Sequence, residues 1–518
     1  MGYKGLPISL GPTAIPDQID LLIIGGGING AGIARDAAGR GLSVLLVEKD
    51  DLGSHTSSAS SKLIHGGLRY LEQYEFRLVA EALAEREVLL KIASHLVRPV
   101  RFIMPHVPQL RPRWMIRTGL FLYDHLGRRT RLPGSHAVRL DRPPYAAGLK
   151  PEYRHGFVYS DCLVDDARLV VASARDAVAR GAKVLPRTEC VAAKREGDLW
   201  RAQLRGRDGE LEVAARAIVN AAGPWVKSVL NERLRQPSRD EVRLVKGSHV
   251  VVPRLYEGDH AFILQNDDRR VVFMIPYEER YTLIGTTDVP HDGDPSRPEA
   301  SAAEVEYLCR AVNRYLRRAV SASDVVWRYA GVRPLYDDRS ADPSAVTRDY
   351  VLRLDSDQAA TPVVSVFGGK ITTYRRLAEH ALEKLAAWFP SMGPAWTADA
   401  PLPGATIPGG DAARFEQRLA QRYPRLPQPL LQALVRRHGA LAYAVLGNAA
   451  SVAELGEAFG AELYAQEIDY LIEHEWAAAG EDILWRRTKC GLHLDPGQRE
   501  AVARYVDRIL SEQRPPKS

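Results

Sequence analysis

An α/β fold built on a parallel sheet, joined to an antiparallel-sheet domain and to an all-helical C-terminal domain, is what the sequence predicts. Three observations carry this. The apolar run Leu21-Leu22-Ile23-Ile24 meets a glycine turn and then a helical pattern. Two more apolar strands far downstream, ending near Asn220 and Phe367, break in turns of the same small-residue kind. Proline and glycine cluster between Pro390 and Gly410, and beyond them the patterns are almost wholly helical.

The first unit is the most informative. Gly25, Gly27 and Gly30 occupy the positions of G-x-G-x-x-G, where a tight turn, close approach of a pyrophosphate and close helix packing each exclude a Cβ. Amides and the positive dipole end of the next helix then face a diphosphate. A second strand, Leu42 to Val47, ends in Glu48, eighteen residues beyond Gly30, where an acceptor for ribose hydroxyls belongs. This is a Rossmann-like dinucleotide site, with NAD and FAD both open.

A serine-rich loop, Ser54 to Ser61, leads into Lys62-Leu63-Ile64-His65-Gly66-Gly67-Leu68-Arg69-Tyr70, and a helix is expected from about Glu75 to Ser94. From Arg101 to Gly134, seven arginines surround the apolar segment Trp114–Tyr123, and Pro105, Pro108 and Pro112 limit regular structure. A helix is expected over Asp166–Arg180, a buried strand and tight turn over Ala217–Trp225, and antiparallel strands from Val242 to about Gly285. Thr361–Phe367 reads as a strand, Gly368-Gly369 as its turn and Thr372–Phe389 as a helix.

Composition sets the class. With 518 residues the chain suffices for two or three domains, and 45% hydrophobic and 26% charged residues are ordinary for soluble proteins. Cys162, Cys190, Cys309 and Cys490 lie far apart without a C-x-x-C pair, so no metal site, redox dithiol or disulfide scaffold is expected. No run of eighteen apolar residues exists, and Met1–Gln18 lacks the makeup of a signal peptide, which together point to a cytoplasmic setting. A net charge of +6 is mild for this length and suggests attraction to anions without indicating which; a nucleic-acid partner is not expected.

The choice of dinucleotide turns on the distant glycine turns. A nicotinamide enzyme needs one fingerprint, whereas here Gly25–Gly30, Asn220–Gly223 and Gly368–Thr373 lie at three separate strand ends, a spread that favours FAD. The last two resemble segments that lie along the flavin in the amino-acid-oxidase and glutathione-reductase superfamily. The fold is thus an α/β FAD-binding Rossmann-like domain with an antiparallel-sheet substrate (cap) domain and a C-terminal all-helical domain.

The resemblance is closer still. Residues 25–34, 56–71, Lys246-Gly247-Ser248-His249, Gly331-Val332-Arg333-Pro334-Leu335 and Phe367-Gly368-Gly369-Lys370 resemble bacterial aerobic glycerol-3-phosphate dehydrogenases, as does Glu467–Thr488 in the tail. The likeness spans about residues 20–510, and no D-x-D-x-D-G calcium loop of the mitochondrial relatives is present. It implies an oxidoreductase region over 17–390, with FAD-binding parts at about 17–90, 155–240 and 345–390 and a cap at about 91–154 and 241–344. A linker at 391–410 and a helical domain at 411–518 follow.

What the resemblance implies is oxidation of sn-glycerol 3-phosphate to dihydroxyacetone phosphate, with electrons passing through FAD to ubiquinone or menaquinone. It implies a homodimer on the inner face of the cell membrane. Its FAD contacts fall on Gly25, Gly27, Ile28, Asn29, Gly30, Glu48, Lys49, Thr56, Ser57, Ser60, Ser61, Lys62, His65, Gly66 and Gly67, and again on Ala222, Gly223, Trp225, Gly331, Arg333, Gly369, Lys370, Ile371 and Thr372. Arg333 and Arg348, with Arg69 and Lys370, match the substrate-contacting positions, and planar guanidinium suits a phosphate. For the base, His249 is favoured because imidazole titrates near neutrality, with Tyr70 and His65 as lesser candidates. Trp114-Met115-Ile116 and Leu120–Tyr123, with Arg111, Arg113, Arg117, Arg128, Arg129 and Arg131 around them, form a plausible membrane patch or, equally, a core helix with solvated arginines. An oxygen-using glycerol-3-phosphate oxidase, an FAD amine or amino-acid oxidase, and a nucleotide-binding scaffold remain as alternative readings.

Overall fold

The computed structural model describes residues 15–127, 131–146, 148–207, 209–268, 270–337, 349–355, 361–407 and 412–512. Its first sheet runs, edge to edge, through Val351–Asp355, Val363–Phe367, Gly209–Asn220, Gln18–Ile24, Val44–Glu48 and Lys183–Pro186. All pairings along that path are parallel except the one at the Val351–Asp355 edge. Leu21, Leu22 and Ile23 are fully buried because both faces of the sheet are covered, Leu21 and Ile23 under helices and Leu22 under the strands Glu189–Glu196 and Leu199–Gly206, which is why the strand reads as an unbroken apolar run. Helix Ile28–Gly39 packs on Asp166–Ala179 and Tyr374–Leu385, and a Cβ on Gly32 would come within 2.7 Å of the Tyr374 ring. Asp165 caps the middle helix by accepting from the Arg168 amide.

Register positions the site. Ile24 lies beside Asn220, and Asn220 beside Ser365, so the three glycine-bearing turns leave adjacent parallel strands at their carboxyl ends. Crevices at such strand ends are where open α/β sheets bind ligands.

The second sheet holds Val242–Pro253 between Tyr281–Gly285 and Trp327–Tyr336 and continues through Val271–Tyr277, Ala261–Gln265, Val97–Pro105, His155–Val164 and Leu63–Ile64. It is antiparallel apart from the pairing of Ala261–Gln265 with Val97–Pro105. Its members Leu63–Ile64 and His155–Val164 come from segments assigned by sequence to the cofactor-binding part.

Between 101 and 134 the prolines bound the regular elements: Pro105 closes the nine-residue strand Val97–Pro105, and Pro112 is the N-cap of the fourteen-residue helix Arg113–Leu126. At both ends a missing N–H costs no hydrogen bond. Ile116, Leu120 and Tyr123 of this helix are buried, whereas Trp114 and Phe121 are 70% and 59% exposed and Met115 is also outward. The apolar segment therefore splits into a core face and a surface face. Arg111 is held by Glu72 and Gln265, and Arg128 and Arg129 lie outside the described residues.

The C-terminal unit is helical, with one short hairpin, Ala458–Gly460 with Leu463–Tyr464. It docks through buried charges: Arg487 donates to both Asp51 carboxylate oxygens at 2.6 and 2.8 Å, Arg486 to one at 2.6 Å, and Lys489 to Asp165 at 2.8 Å. Among the described residues no helix is long and apolar enough to cross a membrane.

Candidate functional site

Gly25 and Gly30 of the first turn are required by their surroundings. Gly25 has φ +112°, and a Cβ there would come 2.5 Å from the Ala221 carbonyl oxygen of the second turn; one on Gly30 would lie 1.8 Å from the Gly25 carbonyl oxygen. Gly27 at the N-cap has no side chain to offer the first turn's amides, of which Ile28 N donates to Ser57 Oγ at 2.9 Å. Glu48 accepts from the amides of Gly26 and Asp50 at 2.7 and 2.9 Å, which fixes the carboxylate against the turn while burial pushes its proton affinity up. Asn29 ties the first turn to the last by donating from Nδ2 to the Gly368 carbonyl at 3.2 Å, and its Oδ1 is buried without a partner.

These turns border a cavity of about 310 Å³ that runs from Glu48, Lys49 and Trp225 past Gly223 to Gly368 and Gly369. Lys49 Nζ sits 3.8 Å above the Trp225 ring, and His55 packs edge-on against the same ring. The arrangement suits an adenosine diphosphate: an acceptor for the ribose, for the phosphates a helix start whose N-cap glycine has no side chain, and an aromatic wall for the base. The close backbone approaches at Gly25 and Gly30, and the unpartnered amide oxygen of Asn29 beside them, fit FAD running from the first turn to the last.

The loop from 56 to 62 divides its labour. Thr56 Oγ1 donates to the Val332 carbonyl at 2.7 Å, joining the cofactor side to the strand of Gly331 and Arg333, and a Cβ on Gly331 would come 2.8 Å from Ala59 Cβ. Ser60 and Lys62 face away into a buried pair with Asp166, Lys62 Nζ lying 2.8 Å from Asp166 Oδ1. Ser61 Oγ lies 2.8 Å from His249 Nε2.

Around the last turn, Lys370 Nζ stands 4.0 Å above the Tyr70 ring, the His65 amide donates to Thr372 Oγ1 at 3.3 Å, and Gly66 N donates to the Tyr123 hydroxyl at 2.7 Å. Ile371 adjoins Thr372 in this last segment and is half-buried. Gly67 has φ +77°, and a Cβ there would run into the Tyr70 ring. Burial, then the charges of Lys370 and Arg86, hold His65 down at about 4. Arg69 is half-buried and makes no ion pair among the described residues.

His249 is 3% exposed and lies between the Tyr329 ring, at 4.8 Å and 12°, and the backbone of Gly285. Burial above all, then Arg333 and Lys62, hold its proton affinity well below the usual histidine range, so the imidazole is neutral. Arg333 is paired with Asp288 and donates to the Thr287 carbonyl at 2.8 Å. Arg348 lies outside the described residues. Sequence reasoning missed Asp288, Asp166 and Tyr329, which sit in no motif and become neighbours of Arg333, Lys62 and His249 only through sheet register and loop packing.

Comparison with known proteins agrees with this geometry. Residues 20–375 match the family model described as FAD dependent oxidoreductase, and residues 395–514 match the C-terminal domain of alpha-glycerophosphate oxidase. The chain is 55% identical over 497 residues to a glycerol-3-phosphate dehydrogenase of Pseudomonas aeruginosa, covering 96% of each chain. It is 50% identical to the D-erythritol 1-phosphate dehydrogenase of Brucella abortus, covering 95% of this chain and 99% of that one. Among solved structures, the glycerol-3-phosphate dehydrogenase from Bacillus halodurans complexed with FAD superposes with a TM-score of 0.72 at 26% identity, over 96% of this chain and 95% of that one. The chain is an FAD-dependent oxidoreductase and belongs to the glycerol-3-phosphate dehydrogenase family.

Proposed function

We propose that this enzyme oxidises sn-glycerol 3-phosphate to dihydroxyacetone phosphate and passes the electrons to a membrane quinone, ubiquinone or menaquinone. The observation that carries the reading is an enclosed imidazole, disposed by burial and by Arg333 towards its neutral form, on the strand next to the one that Thr56 ties to the cofactor loop, in a chain 55% identical to a glycerol-3-phosphate dehydrogenase. FAD, when bound, supplies the acceptor for the two electrons and the hydrogen that leave C2. Gly25, Gly27, Ile28, Gly30, Glu48 and Lys49 hold its adenosine diphosphate end. Trp225 walls that end, and Asn29, His65–Gly67, Ala222, Gly223 and Gly369–Thr372 line the remainder.

Arg333, Arg69 and Lys370 anchor the phosphate, Arg348 joining them by resemblance. At about 1.5–3 kcal/mol for each hydrogen bond to a charged group, two such cations account for a micromolar to millimolar affinity. His249 receives the hydroxyl proton at Nε2, the nitrogen beside Ser61, while Nδ1 is enclosed without a partner. Arg333 disfavours the imidazolium in the free enzyme; a phosphate dianion against that guanidinium offsets its charge and raises the imidazole's proton affinity when substrate is bound. Tyr70, under Lys370, orients the substrate.

The domain division follows the same reading: an oxidoreductase region over 17–390 with its inserted cap, a linker over 391–410 and a helical domain over 411–518. The enzyme works as a homodimer bound peripherally at the cytoplasmic membrane face. Trp114, Met115 and Phe121 insert, flanked by the exposed Arg113 and Arg117. Two arginines near an anionic leaflet contribute about 2 kcal/mol, so apolar insertion supplies most of the binding.

The 50% identity to a D-erythritol 1-phosphate dehydrogenase supports a second reading, in which the substrate is a longer polyol phosphate. Adding each substrate anaerobically to the purified yellow protein separates the two. Bleaching of the flavin by micromolar to millimolar glycerol 3-phosphate supports the first, bleaching by erythritol phosphate alone the second, and bleaching by neither refutes both.

A further inference from the structure

The imidazole of His249 has one hydrogen-bond partner, Ser61, and its other nitrogen is enclosed without one. A ring nitrogen's second partner normally fixes the orientation of a functional histidine. Here stacking does it. His249 lies parallel to Tyr329 across the strand pair, at 4.8 Å and 12°. Tyr329 meets Trp327, two residues back on the same face of its strand, at 4.8 Å and 40°. Trp327 in turn stacks on Trp485 at 4.8 Å and 17°.

Four rings thus form one column from the candidate base to the C-terminal unit. Both of its ends are closed. The Gly285 backbone backs His249, where a Cβ would come 2.0 Å from the imidazole carbon Cδ2. At the far end Gly491 admits the Trp485 ring, which a Cβ would approach to 2.8 Å, and the Arg499 guanidinium lies 5.5 Å from that ring's centre. The column also governs the hydrogen bond, because the Tyr329 hydroxyl donates to the Ser60 carbonyl at 2.8 Å, beside the serine that reaches Nε2. Trp485 itself is carried by the turn whose Arg486 and Arg487 grip Asp51.

We infer that Trp327 and Trp485 are positioning residues for the oxidation, so that the C-terminal domain completes the substrate side of the active site by setting the plane of the His249 ring through this aromatic column. The inference rests on His249 being the base. Stacked rings transmit tilt because sliding or rotating one loses contact area with the next, and small misplacements of a reacting group cost large factors in rate.

The test uses the full-length holoenzyme and the variants Trp485→Ala, Trp485→Phe, Trp327→Leu and His249→Ala. FAD affinity is read by fluorescence titration, and flavin bleaching by glycerol 3-phosphate is followed by anaerobic stopped flow across pH. Trp485→Ala and Trp327→Leu are expected to keep parental FAD affinity, to lower the limiting bleaching rate by about tenfold or more, and to shift its pH profile. Trp485→Phe, which retains a stacking ring, should recover most of the rate. In a His249→Ala background, Trp485→Ala should add less than about twofold, since residues acting through one group are not additive.

Parental bleaching rates and pH profiles in both tryptophan variants, or an undiminished Trp485→Ala effect when His249 is absent, overturn the column's role. If Trp485→Ala does not fold, Trp327→Leu decides by the same measurements, alone and in the His249→Ala background. A slow His249→Ala beside fast tryptophan variants overturns the column alone. A His249→Ala enzyme that bleaches at the parental rate overturns the base assignment, and the column with it.

Discussion

Replacing Gly30 by alanine places a methyl group 1.8 Å from the Gly25 carbonyl oxygen, about 1.6 Å inside the 3.4 Å at which ordinary contact begins. Neither atom can yield alone. Gly30 lies in the first turn of a buried helix, and Gly25 is wedged against Ala221, so the helix start and the first turn must separate. Separation on the ångström scale exceeds the tolerance of the hydrogen bonds that the helix amides make to a diphosphate. Losing one charge-assisted bond of about 1.5–3 kcal/mol weakens FAD binding on the order of 10- to 150-fold. Titration of apoprotein with FAD, followed by quenching of flavin fluorescence, measures this directly. Gly119→Ala is the control, because a Cβ there meets nothing within 4 Å. A Gly30→Ala protein that is folded and binds FAD within twofold of the parent refutes the claim that this turn holds the diphosphate.

Three further outcomes follow from named contacts. Arg333→Ala should raise the glycerol 3-phosphate concentration for half-maximal bleaching by about tenfold or more while leaving FAD content unchanged; equal saturation in variant and parent removes Arg333 from the phosphate site. Asp51→Asn should destabilise the fold by about 3–5 kcal/mol in thermal or urea unfolding, because Arg487 stays buried without its carboxylate. Burial alone would raise the Asp51 carboxyl, but Arg487 and Arg486 hold it down at about 2. Its contribution, about 2 kcal/mol, is therefore full above the unfolded value near 4 and fades as pH falls towards 2, so the gap between variant and parent should narrow below pH 4. Finally, Trp114→Ser with Phe121→Ser should lose sedimentation with anionic lipid vesicles while keeping flavin bleaching in solution, and full retention of vesicle binding refutes the patch.

Much of the site was legible because its requirements are local. A turn such as Gly25–Gly30 leaves no room for a Cβ, so chemistry written in three glycines and an acid at a set spacing survives in one dimension. The same holds for the helix over Phe76–Ile92, close to the expected Glu75–Ser94, since its apolar periodicity is a property of neighbours along the chain. The extent of the elements within 101–134 was not legible because a proline's effect depends on whether its missing N–H falls inside an element or at its end, and Pro105 and Pro112 sit at ends. Which residues of Trp114–Tyr123 are core was also hidden: Tyr123 is inward because it bonds Gly66 and Asp161, partners 57 and 38 residues away.

From residue order alone came the dinucleotide-binding crossover, the flavin-type spacing of three glycine turns, and the cationic and imidazole groups suited to a phosphorylated alcohol. Residue order did not contain the alignment of those three turns on adjacent strands, the capture of Lys62 by Asp166, the pairing of Arg333 with Asp288, or the stack from Trp485 to His249. Each joins residues distant along the chain, and such pairings depend on sheet register and domain docking, which are minimised over the whole molecule and leave no periodic trace in any one segment.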